Sequence, residues 1–417
     1  MTEEGEASPA SGGDEARAGG PGVAGAAGRP RRAVTGAFPS VMDGARLGSD
    51  VDAAVPSPGA AAAGGPGTHD TAGAASPGAA GLAWQGQAVP GRERSGRSRP
   101  EPRGDRVGQD VKVVAFGGGH GLYASLSALR RVTGELTAVV TVADDGGSSG
   151  RLRRELGVLP PGDLRMALAA LCGDDDWGQT WSKVVQHRFR SEGGLHGHAV
   201  GNLLIVALWE LLDDPVAGLD WVGRLLGAHG RVLPMASVPI DIEAEVELDG
   251  RVTIVRGQVA CAVTPGNVQA ISLVPADPPA CPEAVAAVAE ADWVMFGPGS
   301  WFTSVMPHFK VPRLAEALHG TAARRLVTLN LAPQPGETDG FSAGKHLQVL
   351  REHAPDLTID VVLADAGAAG DRDELEKAAD ALGARLVLAD VAAADGSPKH
   401  DARRLALVLD EIFRGKR

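Results

Sequence analysis

The apolar run Val111-Lys112-Val113-Val114-Ala115-Phe116 leads straight into Gly117-Gly118-Gly119-His120-Gly121, and no other feature restricts the fold of this chain so strongly. A nearly continuous apolar run of this length suits a strand buried on both faces, as parallel sheets require. Residues 122–132 then carry apolar side chains at helical spacing, and Thr137-Ala138-Val139-Val140-Thr141-Val142 is a second buried-strand run. Strand, glycine loop, helix, strand is a parallel β-α-β unit, which commits the chain to an α/β fold built on a mainly parallel sheet.

That unit starts only at residue 111, and composition gives the reason. Of the first 110 residues, 34 are Gly or Pro, against 51 of the remaining 307. Non-periodic Gly plus Pro above roughly 25–30% marks chain that cannot bury enough apolar surface to offset its ordering entropy. Residues 1–110 are therefore expected to be a disordered Gly/Pro/Ala-rich leader, and residues 111–417 a single domain. The acidic start, Met1-Thr2-Glu3-Glu4, has no apolar core behind it and is not a secretory signal. No run of 18 apolar residues exists, so no membrane insertion and a cytoplasmic location are expected. The net charge of −12 argues against general nucleic-acid binding while leaving room for one local basic pocket. Cys172, Cys261 and Cys281 are odd in number and form no CxxC, which disfavours a disulfide framework or a zinc ribbon.

Beyond the opening unit, residues 151–230 read as mostly helical. Residues 243–248 and 252–255 alternate apolar and polar around Asp249-Gly250, the signal of a β-hairpin, and 268–274 suits a further strand. Strand-like runs at 293–296, 326–329, 359–363 and 385–388 then alternate with helical patterns at 282–291, 312–320, 342–353, 372–382 and 401–414. The expected architecture is one α/β domain, parallel at heart, with a helical segment and a β-hairpin inserted.

Several strings could carry chemistry. Gly117, Gly118, Gly119 and Gly121, with His120 among them, let backbone amides approach a phosphate at a helix N-terminus. The third glycine of the dinucleotide fingerprint is replaced by Leu122, which disfavours an NAD(P) site. The second string, Asp144-Asp145-Gly146-Gly147-Ser148-Ser149-Gly150-Arg151, follows the second strand, where ligands of parallel sheets bind. Asp144 and Asp145 can hold a divalent cation or sugar hydroxyls, or one of them can cap the following helix. Gly147, Ser148 and Ser149 offer donors, and Arg151 a bidentate anion contact. Asp163 and Arg165 follow Pro160-Pro161-Gly162, either capping a helix or standing at the mouth of the same site. His198 and Asn202 are four apart on an expected helix and so share a face. His196 and His198 have no Cys or HExxH beside them to complete a metal site.

The string Gly297-Pro298-Gly299-Ser300-Trp301-Phe302-Thr303-Ser304 is a second strand-end glycine turn. Gly297, Gly299, Ser300 and Thr303 are its candidate ligand contacts. One ligand bridging both glycine turns is the expected arrangement. Asn330 ends a later strand, before the polar stretch 334–340, and Lys399 is a candidate phosphate contact or a solvated lysine.

Together these strings resemble the YvcK-type gluconeogenesis factors of the CofD-like (2-phospho-L-lactate transferase-like) superfamily, over roughly residues 111–414. The resemblance implies a Rossmann-like three-layer α/β sandwich. It implies binding of a UDP-sugar, chiefly UDP-N-acetylglucosamine, and a regulatory role in cell shape and wall integrity during gluconeogenic growth. Its implied partner is a protein of cell-wall precursor synthesis, a homodimer is one expected assembly, and no cofactor is required. The transferase relatives move a phospholactyl group from a guanylyl-activated donor to a deazaflavin with Mg²⁺. His120, Trp301-Phe302 and His196 depart from the residues usual in this family. Two roles follow: a UDP-sugar sensor, or a transferase in which Asp144 and Asp145 hold Mg²⁺ against a departing pyrophosphate.

Overall fold

The computed structural model describes residues 110–415, so the expected leader at 1–110 lies outside the described residues except for Asp110. β1 (Val113–Gly117), α1 (Gly119–Leu129) and β2 (Leu136–Val140) form the β-α-β unit. A helical segment follows, with α2 (Gly147–Leu156), α3 (Pro161–Ala170), α4 (Asp176–Gln186), α5 (Val200–Leu212) and α6 (Pro215–Leu226). β3 (Arg231–Pro234) returns to the sheet. The expected hairpin is β4 (Asp241–Leu248) and β5 (Arg251–Arg256), followed by α7 (Gln258–Val263) and β6 (Asn267–Val274). Alternation then resumes with α8 (Pro282–Glu290) and β7 (Trp293–Phe296). A π-helical turn (Trp301–Val305) and a 3-10 turn (Met306–Lys310) lead to α9 (Pro312–Gly320) and β8 (Arg324–Thr328). The chain ends with α10 (Ala343–His353), β9 (Val361–Asp365), α11 (Arg372–Asp380), β10 (Arg385–Ala389) and α12 (Ala402–Phe413).

Seven strands lie in the order β10-β9-β8-β7-β1-β2-β3, every neighbouring pair parallel. Every residue of β1, β7 and β9 is buried, which is why these strands read as continuous apolar runs. The order runs outward from β1 to β3 on one side and from β7 to β10 on the other. Right-handed crossovers therefore put helices on opposite faces for the two halves. α1 packs with α3 and α12, whereas α8 packs with α9 and α10 with α11. Phe413 of α12 meets Trp293 of β7 with ring centroids 5.1 Å apart. The reversal falls between β1 and β7, the place where α/β sheets open a ligand crevice beyond the carboxyl ends of their strands.

β4, β5 and β6 make a separate antiparallel sheet. Ile242, Ala244 and Val246 are buried on one face of β4, while Glu243, Glu245 and Glu247 take the other. Asp249 at φ +52° and Gly250 at φ +75° close the two-residue turn that the sequence signals. Among the described residues no helix is long and apolar enough to cross a membrane.

Several elements differ from the sequence reading, among them α7 and the π-helical and 3-10 turns at 301–310, none of which was expected. β3 was not expected: its four residues end in Pro234, which an edge strand tolerates because the outer N–H side needs no partner. α1 begins within the glycines at Gly119 rather than at Leu122. α2 begins at Gly147, so the Gly-Ser run expected to offer donors is the first turn of a helix. Glycine and serine have weak helix propensity, and tertiary packing overrides it here because Ser148, Ser149 and Gly150 are all buried.

Candidate functional site

The crevice is built around the turn after β1. Gly118 is the N-cap of α1, and a Cβ there would lie 2.5 Å from Asp163 Oδ2 and 2.9 Å from Thr141 Oγ1. Gly119 has φ +55°, a conformation that favours glycine. At Gly121 a Cβ would come within 2.2 Å of the Pro298 carbonyl oxygen, so the turn after β1 and the turn after β7 touch backbone to backbone. Ser125 Oγ adds a bond to Gly297 O at 2.8 Å. The two glycine turns thus form one floor, with a different group of side chains on each side.

On the β2 side, residues from α2, α3 and α5 converge. Ser148 Oγ lies 3.0 Å from His198 Nδ1, and Asn202 Nδ2 donates to Ser148 Oγ at 3.0 Å. Arg165 Nε donates to Asn202 Oδ1 at 2.9 Å. His198 and Asn202 do face one target, but for a reason other than helical periodicity. His198 precedes α5, whose N-cap is Ala199, and the chain bends to bring it to Ser148. Ser149 Oγ is buried and makes no hydrogen bond, and it stands 2.3 Å from where a Gly162 Cβ would be. Burial, and then the Arg188 guanidinium, holds Arg165 down at about 10. Burial and then Arg151 lower His198 below its ordinary value, so its imidazole is neutral at pH 7.

The two adjacent aspartates part company. Asp144 Oδ1 accepts from Gly146 N at 3.0 Å, while its Oδ2 lies 2.7 Å from the place a Gly162 Cβ would take. Asp145 turns the other way and accepts from Val259 N at 3.0 Å. Neither caps α2, whose N-cap Gly146 has no side-chain partner. The carboxyl that stands with Asp144 is Asp163. Burial, followed by the Asp144 charge, raises Asp163 to about 7, against the pull of the Gly119 amide and the Thr141 hydroxyl. Among the described residues no group of three or more His, Cys, Asp or Glu side chains is gathered to hold a metal. Two carboxylates together with ligand phosphates are nevertheless enough for Mg²⁺, which retains several waters.

On the β7 side lies a cleft of about 550 Å³, lined among others by His120, Tyr123, Asn330, Gln334, Lys399 and His400. Nucleotide-sized ligands occupy pockets of roughly 300–1,000 Å³. Asn330 is held at both ends: its Oδ1 accepts from Gly299 N and its Nδ2 donates to Gly299 O, both at 2.8 Å. It shapes the cleft wall through Gly299. Ser300 and Thr303, expected to meet a ligand, are bonded to each other, and Ser300 Oγ also donates to Glu337 at 2.5 and 2.7 Å. Glu337 accepts from Phe302 N at 2.8 Å and Thr303 N at 2.9 Å as well. An internal carboxylate thus fills the anion position at the start of that turn, and burial raises its pKa. Lys399 is exposed at the cleft rim, and burial pushes the neighbouring His400 down to about 4.

Sequence reasoning missed Thr141, Arg188, Glu337 and His400. Thr141, Glu337 and His400 lay inside or beside strings already named, but only a fold brings Glu337 back to a turn 35 residues earlier.

A family profile described as 2-phospho-L-lactate transferase CofD matches residues 113–402. The chain belongs to the CofD family. Within the family it is similar to a Mycobacterium tuberculosis protein named "Putative gluconeogenesis factor", at 55% identity over 307 residues, covering 72% of this chain and 90% of the relative. It is 37% identical over 260 residues to the gluconeogenesis factor of Bacillus subtilis, covering 62% and 80%. A crystal structure of a UPF0052-family protein from Bacillus halodurans superposes with a TM-score of 0.65 at 34% identity, covering 72% of this chain and 99% of that one. Two of the departures from the CofD-like pattern now have a physical setting. Trp301 and Phe302 are fully buried core residues, with Trp301 against His346 and Phe302 against Phe341 and His353. His120 is exposed at the cleft.

Proposed function

We propose that this CofD-family chain is a UDP-sugar-binding regulator, with UDP-N-acetylglucosamine as its ligand. It would act in the cytoplasm on cell shape and wall synthesis during gluconeogenic growth, through a protein of cell-wall precursor synthesis. The observation that carries this reading is the two-sided crevice where the strand order reverses. A nucleotide sugar has a charged pyrophosphate between two polar ring systems. The crevice offers arginines and hydroxyls on one side of the β1 turn and a nucleotide-sized cleft on the other. The names of the relatives support the link to gluconeogenic growth. Calorimetry with UDP-N-acetylglucosamine tests it: a saturable heat is expected, and no heat at millimolar ligand would sink the idea.

A second reading is favoured by one observation, the coupling of Asp163 to Asp144. In a Mg²⁺-dependent transferase these two carboxylates would hold the ion, with Asp163 taking the place first expected of Asp145. The ion would neutralise charge on a departing pyrophosphate. Arg165 would bind the same oxygens, and the neutral His198 would donate a hydrogen bond. Turnover assays with Mg²⁺ and a range of UDP- and GDP-activated donors decide it. Absence of product with every donor removes this reading.

A further inference from the structure

Three arginines gather around His198 from three separate elements. Arg151 comes from α2, Arg165 from α3, and Arg188 from the bridge that pairs with Ala199. Arg151 donates from Nη2 to His196 O at 2.6 Å and from Nη1 to Gly194 O at 3.3 Å, and Arg188 Nη1 donates to Gly197 O at 2.9 Å, so both guanidiniums hang from carbonyls of the 194–197 segment and keep their remaining N–H groups. Arg165 is fixed through Nε alone, which leaves its two terminal nitrogens uncommitted. Among the described residues none of the three forms an ion pair with a carboxylate, whereas Arg153, Arg231 and Arg256 all do. Asp144 and Asp163 approach Arg165 only at longer range. Gathering like charges costs free energy unless an anion sits among them.

The hydroxyl of Ser148 completes the set. Its oxygen already accepts from Asn202 Nδ2 and from Ala199 N, so its proton goes to His198 Nδ1. A neutral imidazole accepting at Nδ1 carries its own proton on Nε2 and is a donor there. Three planar guanidinium forks and one N–H donor are complementary to the oxygens of a phosphate chain.

We infer that Arg151, Arg165, Arg188 and His198 form the seat for the pyrophosphate of a nucleoside diphosphate, with residues 193–197 as its rim. The class of ligand rests on the nucleotide-sugar reading above; the anion seat itself rests on the arginines. Arg188 is the member that can be removed safely, because it is exposed and its single bond is to a backbone carbonyl. Arg190, two residues on, is also exposed and serves as the matched control.

The experiment is calorimetric titration of the full chain with inorganic pyrophosphate and, separately, with UDP-N-acetylglucosamine, for wild type, Arg188→Gln and Arg190→Gln. The expected result is at least a tenfold loss of affinity for both ligands in Arg188→Gln and less than a twofold change in Arg190→Gln. Equal losses in the two variants would mean diffuse surface charge and overturn the seat, as would failure of pyrophosphate to bind the wild type. UDP-N-acetylglucosamine binding untouched by Arg188→Gln would also overturn it while leaving the proposed function standing. Pyrophosphate binding that depends on Arg188, without any binding of the nucleotide sugar, would uphold the seat and remove the nucleotide-sugar reading.

Discussion

The turns after β1 and β7 start from the same local recipe: a buried strand, glycines, then a helical turn. Each also receives a carboxyl group from elsewhere in the chain. At the β7 turn Glu337 is surrounded by Ser300 Oγ and the amides of Phe302 and Thr303. At the β1 turn Asp163 has only the Gly119 amide and a long bond from Thr141 Oγ1, at 3.4 Å, and faces a second carboxylate. The first carboxylate is saturated and makes a wall. The second is short of donors and crowded by like charge, which leaves it ready for a proton or a cation. Similar glycine strings can therefore end in opposite roles, according to what the rest of the chain brings to them.

The largest effect should come from breaking the contact between the turns. Gly121→Ala places a methyl group against the Pro298 carbonyl, and backbone cannot yield as a side chain can. A loss of about 3 kcal/mol in urea unfolding is expected from such overpacking. Glu337→Ala should cost about 2 kcal/mol by leaving buried donors unpaired. A loss under half of that would show that Glu337 is not structural and would erase the contrast. Asn330→Ala removes both bonds to Gly299 and should cost about 1 kcal/mol, with weaker binding in the cleft measured by calorimetry.

The sharpest test is Asp163→Asn, whose effect is read as a trend with pH rather than as a fixed loss. Burial and Asp144 oppose ionisation of Asp163 in the folded state, so the folded chain holds this proton up to about pH 7. The unfolded chain releases it near the ordinary carboxyl value. Stability from this group is therefore full at low pH and is lost as pH rises from about 4 through 7. Relative to Asp163→Asn, the wild type should become steadily less stable over that interval, read as the urea midpoint against pH. A constant difference would mean that burial and Asp144 do not hold the proton on Asp163.

Much of this fold was legible in the sequence. Strands buried on both faces announce themselves as apolar runs, so β1, β2, β7, β8, β9 and β10 fell close to their expected places. The hairpin was equally plain, since Asp249-Gly250 encodes its own turn. β3 was hidden because Arg231-Val232-Leu233-Pro234 has only two apolar residues between an arginine and a proline, whereas the equally short β7 is apolar throughout. In the crevice, Ser148, Arg165, His198 and Asn202, each singled out from a local string, are brought together by the fold. Direction was not legible: nothing in adjacent aspartates says that Asp145 will reach Val259 while Asp144 stays in the crevice. Commitment was not legible either, since whether Ser300, Thr303 and Asn330 face ligand or protein depends on a glutamate and a backbone distant in sequence.

That parting of Asp144 and Asp145 ties two parts of the molecule through one peptide unit, about 3.8 Å of chain. On one side of it the carboxyl of Asp144 stands by Gly162 and Asp163 in the crevice. On the other, the carboxyl of Asp145 holds the first turn of α7 and so the small sheet behind it. Arg153 of α2 strengthens the link through Asp241, which Arg256 shares. The small antiparallel sheet is therefore tied to the crevice by a short path: one peptide unit, the Asp145 carboxyl and the arginines that share Asp241.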